Sequence, residues 1–169
     1  MSGLGRLEGA FGGVEHVEVA AADGMPCVEV ERDDLIALMT LLRDELGFEA
    51  CTIVTAVDHF PREPRFQVVH QLLSLRHNDR VRVHCRVSED DARVPSVTGL
   101  WPGAAYFERE AYDMFGLRFD GHADLKRLLM PEGYGHHPLR KDFPHQGIEP
   151  DRLYKEWDRA RRHAAGSQG

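Results

Sequence analysis

Glu108, Arg109, Glu110 and Asp113 put four charges into six residues, and paired carboxylates at such density are the raw material of general acid/base catalysis. The spacing argues against that use. On a helix Glu108 and Glu110 are two residues apart and point in different directions, while Arg109 and Asp113 form an i, i+4 pair able to satisfy each other. His122, His136, His137 and His145 are the second candidate set, for binding a metal or relaying protons. No carboxylate or thiol spacing near them supports closed coordination, so they read as hydrogen-bonding groups at an interface. Cys27, Cys51 and Cys85 are odd in number and lie in separate apolar runs, without the C-x-x-C pairs of iron–sulfur or zinc sites. They read as small buried hydrophobes. A G-x-G-x-x-G loop is absent and Ser96 has no nucleophile elbow, so a freestanding enzyme is disfavoured against a scaffold or binding role.

The 169 residues, 42% of them hydrophobic, suffice for one domain with its own core. Twenty-one basic against 28 acidic side chains give a net charge of −7, which disfavours the basic face of a general nucleic-acid binder. The apolar stretch from Leu35 to Leu46 is interrupted by Thr40, Arg43, Asp44 and Glu45 and is too short to span a bilayer. Residues 1–13 are glycine-rich, with neither the apolar core of a signal peptide nor the arginine content of a transit peptide. A flexible start and a cytoplasmic location are expected.

Several elements must position the charged cluster. Val14 to Ala20 and Cys27 to Val30 read as a hairpin. Asp33 or Asp34 caps a helix with Leu35, Leu38, Met39, Leu42 and Leu46 on one face, ended by Gly47. Cys51 to Val57, apolar on both faces, reads as a central strand covered on two sides. Arg65 to Leu75 pairs with Arg80 to Val87 across a tight turn. In the second of these, Val81, Val83, Cys85 and Val87 face a core, and Arg80, Arg82, His84 and Arg86 form a basic stripe that is either locally paired or a dock for an acidic partner. A short helix is expected over Ser96 to Trp101, and another over Ala104 to Phe115, stopped by Gly116. Residues 131–150 hold four prolines and three glycines and form no regular element, yet Tyr134, Leu139, Phe143 and Ile148 are anchors that a linker would omit. An amphipathic helix over Asp151 to His163 follows, with Leu153, Trp157 and Ala160 on one face. The fold class is α/β in the broad sense, more narrowly α+β. A flexible 1–13 precedes one small domain over 14–130, with a mixed or antiparallel sheet packed by helices, and an extended partner-binding tail covers 131–169.

Ordered blocks then carry a resemblance over about half the chain. Leu72-Leu73-Ser74-Leu75-Arg76-His77-Asn78 and Pro95 to Gly103 come first, then Glu108-Arg109-Glu110-Ala111-Tyr112-Asp113-Met114-Phe115-Gly116 with Phe119-Asp120-Gly121-His122. Lys126-Arg127-Leu128-Leu129 and Pro138-Leu139-Arg140-Lys141-Asp142-Phe143-Pro144 complete the series. Together they resemble the 30 kDa-type subunit of respiratory complex I. Tyr106-Phe107, where relatives often carry tryptophan, and Ala123, where proline is common, are departures that touch local packing.

The resemblance implies a non-catalytic scaffold subunit of the hydrophilic arm of proton-translocating NADH:quinone oxidoreductase, on the cytoplasmic side of the bacterial plasma membrane. No cofactor is implied in this chain; iron–sulfur clusters, FMN, NAD and quinone belong to the complex. Two partners are implied: a hydrogenase-like subunit that helps form the quinone site, and the neighbouring subunit that holds the terminal iron–sulfur cluster beside it. Tyr134 and Phe143 are expected to fill partner pockets, and Arg140, Lys141 and Asp142 to make polar contacts there. A cut before Pro131 is expected to leave a folded domain that no longer binds the hydrogenase-like partner. The same subunit type also serves relatives fed by ferredoxin or other donors.

Overall fold

The computed structural model describes residues 15–18, 21–145 and 147, with isolated helical residues 156 and 159. The first helix shows why its sequence folds as it does. Leu35, Leu38, Met39 and Leu42 recur at helical spacing and are all fully buried on one side of α1, Leu35–Asp44. A 3-10 turn, Arg32–Asp34, leads into it, and Asp34 is itself helical and makes no side-chain cap bond, so the expected carboxylate cap is not used. At the other end Leu46 N donates to Leu41 O at 3.1 Å and Phe48 N to Leu42 O at 2.9 Å around Gly47, whose φ of +67° is the left-handed conformation the expected stop requires.

Five strands form one mixed sheet: β1 (His16–Glu18), β2 (Cys27–Val30), β3 (Ala50–Asp58), β4 (Phe66–Ser74) and β5 (Asp79–Val87), in the order β1-β2-β5-β4-β3. The β2–β5 pairing is parallel and the rest antiparallel. β3 is therefore an edge strand, which corrects the central position expected for Cys51 to Val57. Its inward residues, such as Val54, are buried, but Ile53 is 41% and Val57 42% exposed on the opposite face. Apolar content on both faces signalled double coverage that this edge does not receive.

The β4–β5 hairpin runs without interruption from Phe66↔Val87 to Ser74↔Asp79, closed by a turn with Asn78 at φ +52°. Val81, Val83, Cys85 and Val87 enter the core as expected. The basic stripe is neutralised locally: Arg82 pairs with Asp23 at 2.9 Å and Arg86 with Glu29 at 2.8 Å, while His84 Nδ1 accepts from Gln67 Nε2 at 3.0 Å.

Ser96 to Trp101 is not a helix. It makes a single turn, Leu100 N and Trp101 N both donating to Val97 O at 3.0 and 2.9 Å, and Pro102 brings no N–H to extend it; Glu108 accepts the Val97 N–H and the Ser96 hydroxyl at the start of the turn. The second helix, α2, spans Ala104–Phe115 and ends at Gly116, as its periodicity predicts. It packs across β3 on the same face as α1, giving a two-layer α+β arrangement. A small parallel pair, β6 (Arg93–Pro95) and β7 (Arg118–Asp120), closes the end of the core. The helix expected over Asp151 to His163 and the flexible start over 1–13 lie outside the described residues, apart from residues 156 and 159.

A candidate docking site at the end of helix α2

The last turn of α2 leaves backbone carbonyls without helical partners, and the chain beyond residue 121 returns to satisfy them. His137 Nδ1 donates to Asp113 O at 2.9 Å, Leu139 N to Met114 O at 3.1 Å and Arg140 Nε to Phe115 O at 2.6 Å. Three successive carbonyls are thus capped by three residues of the proline-rich segment. Gly116 makes this possible: its φ is +81°, and a Cβ there would lie 2.7 Å from both Arg140 Nη2 and His137 Nε2.

Asp113 is the centre of the arrangement. Fully buried, it receives Arg127 Nη1 on Oδ1 at 2.6 Å, and on Oδ2 the backbone N–H groups of Leu128, Leu129 and Met130 at 3.0, 2.7 and 2.8 Å. Burial alone would push its carboxyl up, but these donors hold it below the ordinary aspartate value. Arg109 instead grips the Lys126 and Arg127 carbonyls at 3.2 and 2.9 Å, so the expected Arg109–Asp113 pair does not form. Arg109 and Asp113 each have their partners in the returning chain. That relationship is invisible to a rule about helix spacing.

Glu108 is also fully buried and points to the other side, accepting from Ser96 Oγ at 2.7 Å and Val97 N at 2.8 Å; burial pushes its carboxyl up. Glu110 is exposed, so the two glutamates do diverge. Phe115 is buried in the core. His122 is consumed internally, Nε2 lying 3.2 Å from Ala105 O and Nδ1 accepting Asp124 N at 3.0 Å. His136 stacks edge-on against Tyr134, and His145 is exposed.

A second network, for which the sequence gives no expectation, fastens the far end of the segment. Arg65 is 1% exposed and grips Asp58 through two bonds of 3.0 and 2.9 Å. It reaches Glu89 at 2.7 Å and holds Asp142 through two bonds of 2.6 and 3.2 Å. Burial would raise the Asp58 carboxyl, but the Arg65 hydrogen bonds and the Lys141 and Phe60 N–H groups bring it down to about 2. Arg140 and Arg65 both stack on Phe66, at 5.2 and 5.0 Å from the ring centre. The signal available in the sequence was an arginine directly after Pro64, opening an apolar strand.

Tyr134 is buried at 4% exposure within this chain, and Arg140, Lys141 and Asp142 bond to the chain's own Phe115, Asp58 and Arg65. These bonds are made within the chain, and Lys141 and Asp142 remain exposed. Phe143 and Pro138 are half-buried, whereas Pro144 and Leu139 are exposed. A cleft of about 200 Å³ lies between Gly135, His136, His137, Arg140 and Phe143.

The three cysteines are buried free thiols, and burial pushes Cys51 and Cys85 up to about 12. Among the described residues no group of three or more His, Cys, Asp or Glu side chains could hold a metal ion, and no helix is long and apolar enough to cross a membrane.

Comparison with known proteins agrees with this architecture. One subunit of the NADH-quinone oxidoreductase of Citrifermentans bemidjiense is 45% identical over 129 residues, covering 76% of this chain and 79% of that one. Among solved structures, a trypsin-resistant fragment of Nqo5 superposes with a TM-score of 0.61 at 32% identity, covering 71% of this chain and 92% of the fragment. A chain of the membrane-bound sulfane sulfur reductase, an archaeal respiratory membrane complex, gives a TM-score of 0.67 at 26% identity over 92% of this chain and 88% of that chain. The family described as respiratory-chain NADH dehydrogenase, 30 Kd subunit, matches residues 28–149, and with the blocks around Asp113 and Arg140 inside that match, this chain belongs to it.

Proposed function

We propose that the chain is a scaffold subunit, without an active site of its own, in the hydrophilic arm of a proton-translocating NADH:quinone oxidoreductase. It sits on the cytoplasmic side of the membrane and contacts the hydrogenase-like subunit of the quinone site and the subunit that holds the terminal iron–sulfur cluster. The complex, not this chain, supplies FMN, iron–sulfur clusters and the NAD and quinone sites. The observation that carries the reading is the commitment of the ionisable side chains. Asp113, Glu108, Arg65, Asp58 and His122 are each engaged in holding backbone or one another, which supports a role in fixing the course of the chain.

The residues of this chain therefore act by position. Arg127, Asp113, His137 and Arg140 fix the course of residues 127–142, and Arg65 fixes its far end at Asp142. Purification of the assembly through a tag on this chain is expected to yield the hydrogenase-like subunit and NADH:quinone reductase activity, both missing from the chain purified alone. Activity in the lone chain would refute the scaffold role.

The likeness to a chain of an archaeal respiratory membrane complex favours a second reading, the equivalent subunit of a relative fed by a donor such as ferredoxin. Reduction of the purified assembly by ferredoxin but not by NADH distinguishes it.

A further inference from the structure

One of the bonds that tie the proline-rich segment to α2 comes from a titratable ring. His137 Nδ1 lies 2.9 Å from Asp113 O, and since a carbonyl only accepts, Nδ1 carries the hydrogen and Nε2 is the nitrogen left to take up a proton. That Nε2 sits against Gly116, 2.7 Å from where a Cβ would stand, and Arg140 Nη2 approaches the same point to 2.7 Å. A proton added at Nε2 therefore places a second positive charge beside a guanidinium, in a half-buried position at the edge of the cleft of about 200 Å³. The surrounding charges decide how that proton is received. The Asp113 carboxylate on α2 is occupied by Arg127 at 2.6 Å and by three backbone N–H groups, so neither member of that pair is free to serve as a counter-ion. Asp142, which also lines the cleft, is held by Arg65 at 2.6 Å, and His136 turns its ring to Tyr134 and Phe143. Arg140 is the least compensated charge, with Glu89 3.5 Å away and 43% exposed. Burial, joined by Arg140 and Arg127, outweighs the carbonyl end of α2 that would favour a cation, and holds the imidazole below its ordinary 6.5.

We propose that His137 is a pH-sensitive fastener: when neutral it ties residues 137–142 to the end of α2, and protonation of Nε2 against Arg140 loosens them. The inference concerns this chain alone and stands whether or not the assembly role does. Linkage gives the sign. An opened segment binds the proton more readily than the closed one, so the hold is complete above about pH 6.5 and weakens as pH falls below it. One unit below that value a freed histidine carries roughly ten protonated rings for each neutral one, which limits the rise in opening to about tenfold.

The test is amide hydrogen exchange of the full chain, read by NMR at about pH 7.5 and about pH 5.5 and corrected for the intrinsic exchange rate. Opening at the Leu139 amide, which donates to Met114 O at 3.1 Å, is expected to rise roughly three- to tenfold at the lower pH. His137→Asn keeps an N–H for the Asp113 carbonyl but cannot titrate, and is expected to hold that rise below about twofold. Amides of the β4–β5 ladder report any general loss of stability, and their response is expected to be the same in both proteins. No rise at Leu139 in the wild type, or an equal rise in the asparagine variant, would overturn the proposal. Should that variant not fold, the wild-type ring decides. Its nitrogen shifts are expected to show Nδ1–H with a bare Nε2 at the higher pH, and to titrate in step with the opening at Leu139. A ring that carries its hydrogen on Nε2, or that titrates out of step with Leu139, would also overturn it.

Discussion

Asp113 shows how much one buried carboxylate can organise. Its Oδ2 serves three backbone N–H groups and its Oδ1 an arginine, so Asp113→Asn replaces an anion by an amide that cannot accept all four. Urea denaturation is expected to show a loss of roughly 3–5 kcal/mol, the cost of breaking one side of a buried pair. His70, on the core face of β4, is the opposite case. It is fully buried, neither ring nitrogen makes a hydrogen bond, and burial depresses it to about 4 against an ordinary 6.5, with the Val83 backbone offsetting part of that effect. The unfolded chain therefore binds more protons between these values. His70 leaves stability intact above about pH 6.5 and erodes it as pH falls toward 4, by up to about 3 kcal/mol. Asp58, held at about 2 in the fold against 3.8 in the unfolded chain, adds its own loss only at the acid end of that window, as pH falls below about 5. His70→Leu is expected to flatten the stability curve between pH 6.5 and 4; an unchanged slope would show that another group sets it. The sequence showed Asp113 as charged and helical but not its partners, which lie 14 to 17 residues away across a loop. His70 carried no local signal, being one polar residue in an otherwise ordinary strand.

The elements follow their local rules where neighbours do not intervene. α2 was legible because its apolar period and Gly116 agree, and the β4–β5 hairpin because alternation and turn chemistry coincide. Ser96 to Trp101 stops at one turn, with Pro102 bringing no N–H to extend it, and β3 failed as a central strand because sheet order is not encoded in a strand's own composition. The junction of α2 with the returning segment gives the sharpest prediction at this scale. Gly116→Ala places a methyl at positive φ and against His137 and Arg140, so a loss of roughly 1–2 kcal/mol is expected, with faster proteolysis between residues 137 and 145. Equal protease resistance would mean that the segment does not depend on this helix end. By the same geometry a cut after Pro144 leaves both networks whole, whereas a cut before Pro131 removes the buried Tyr134 and the Asp142 that Arg65 holds.

For the molecule as a whole, a net charge of −7 and an absence of catalytic motifs narrowed the function without naming it. The family blocks supplied what composition could not, and in the structure they carry the residues whose bonds hold residues 127–142 to the domain. The proline-rich segment was expected as an extended, anchored tail; its part from His137 to Asp142 is bound to the chain's own domain at both ends, with Leu139 exposed. The scaffold role proposed above requires that this chain work only within a redox assembly. Quinone reduction by NADH, compared at equal chain concentration between the assembly purified through a tag on this chain and the chain alone, tests that role. Turnover is expected in the first, with the hydrogenase-like partner present in equal amount, and none in the second. Turnover by the chain alone, or a tagged chain recovered without other chains of the complex, would contradict it.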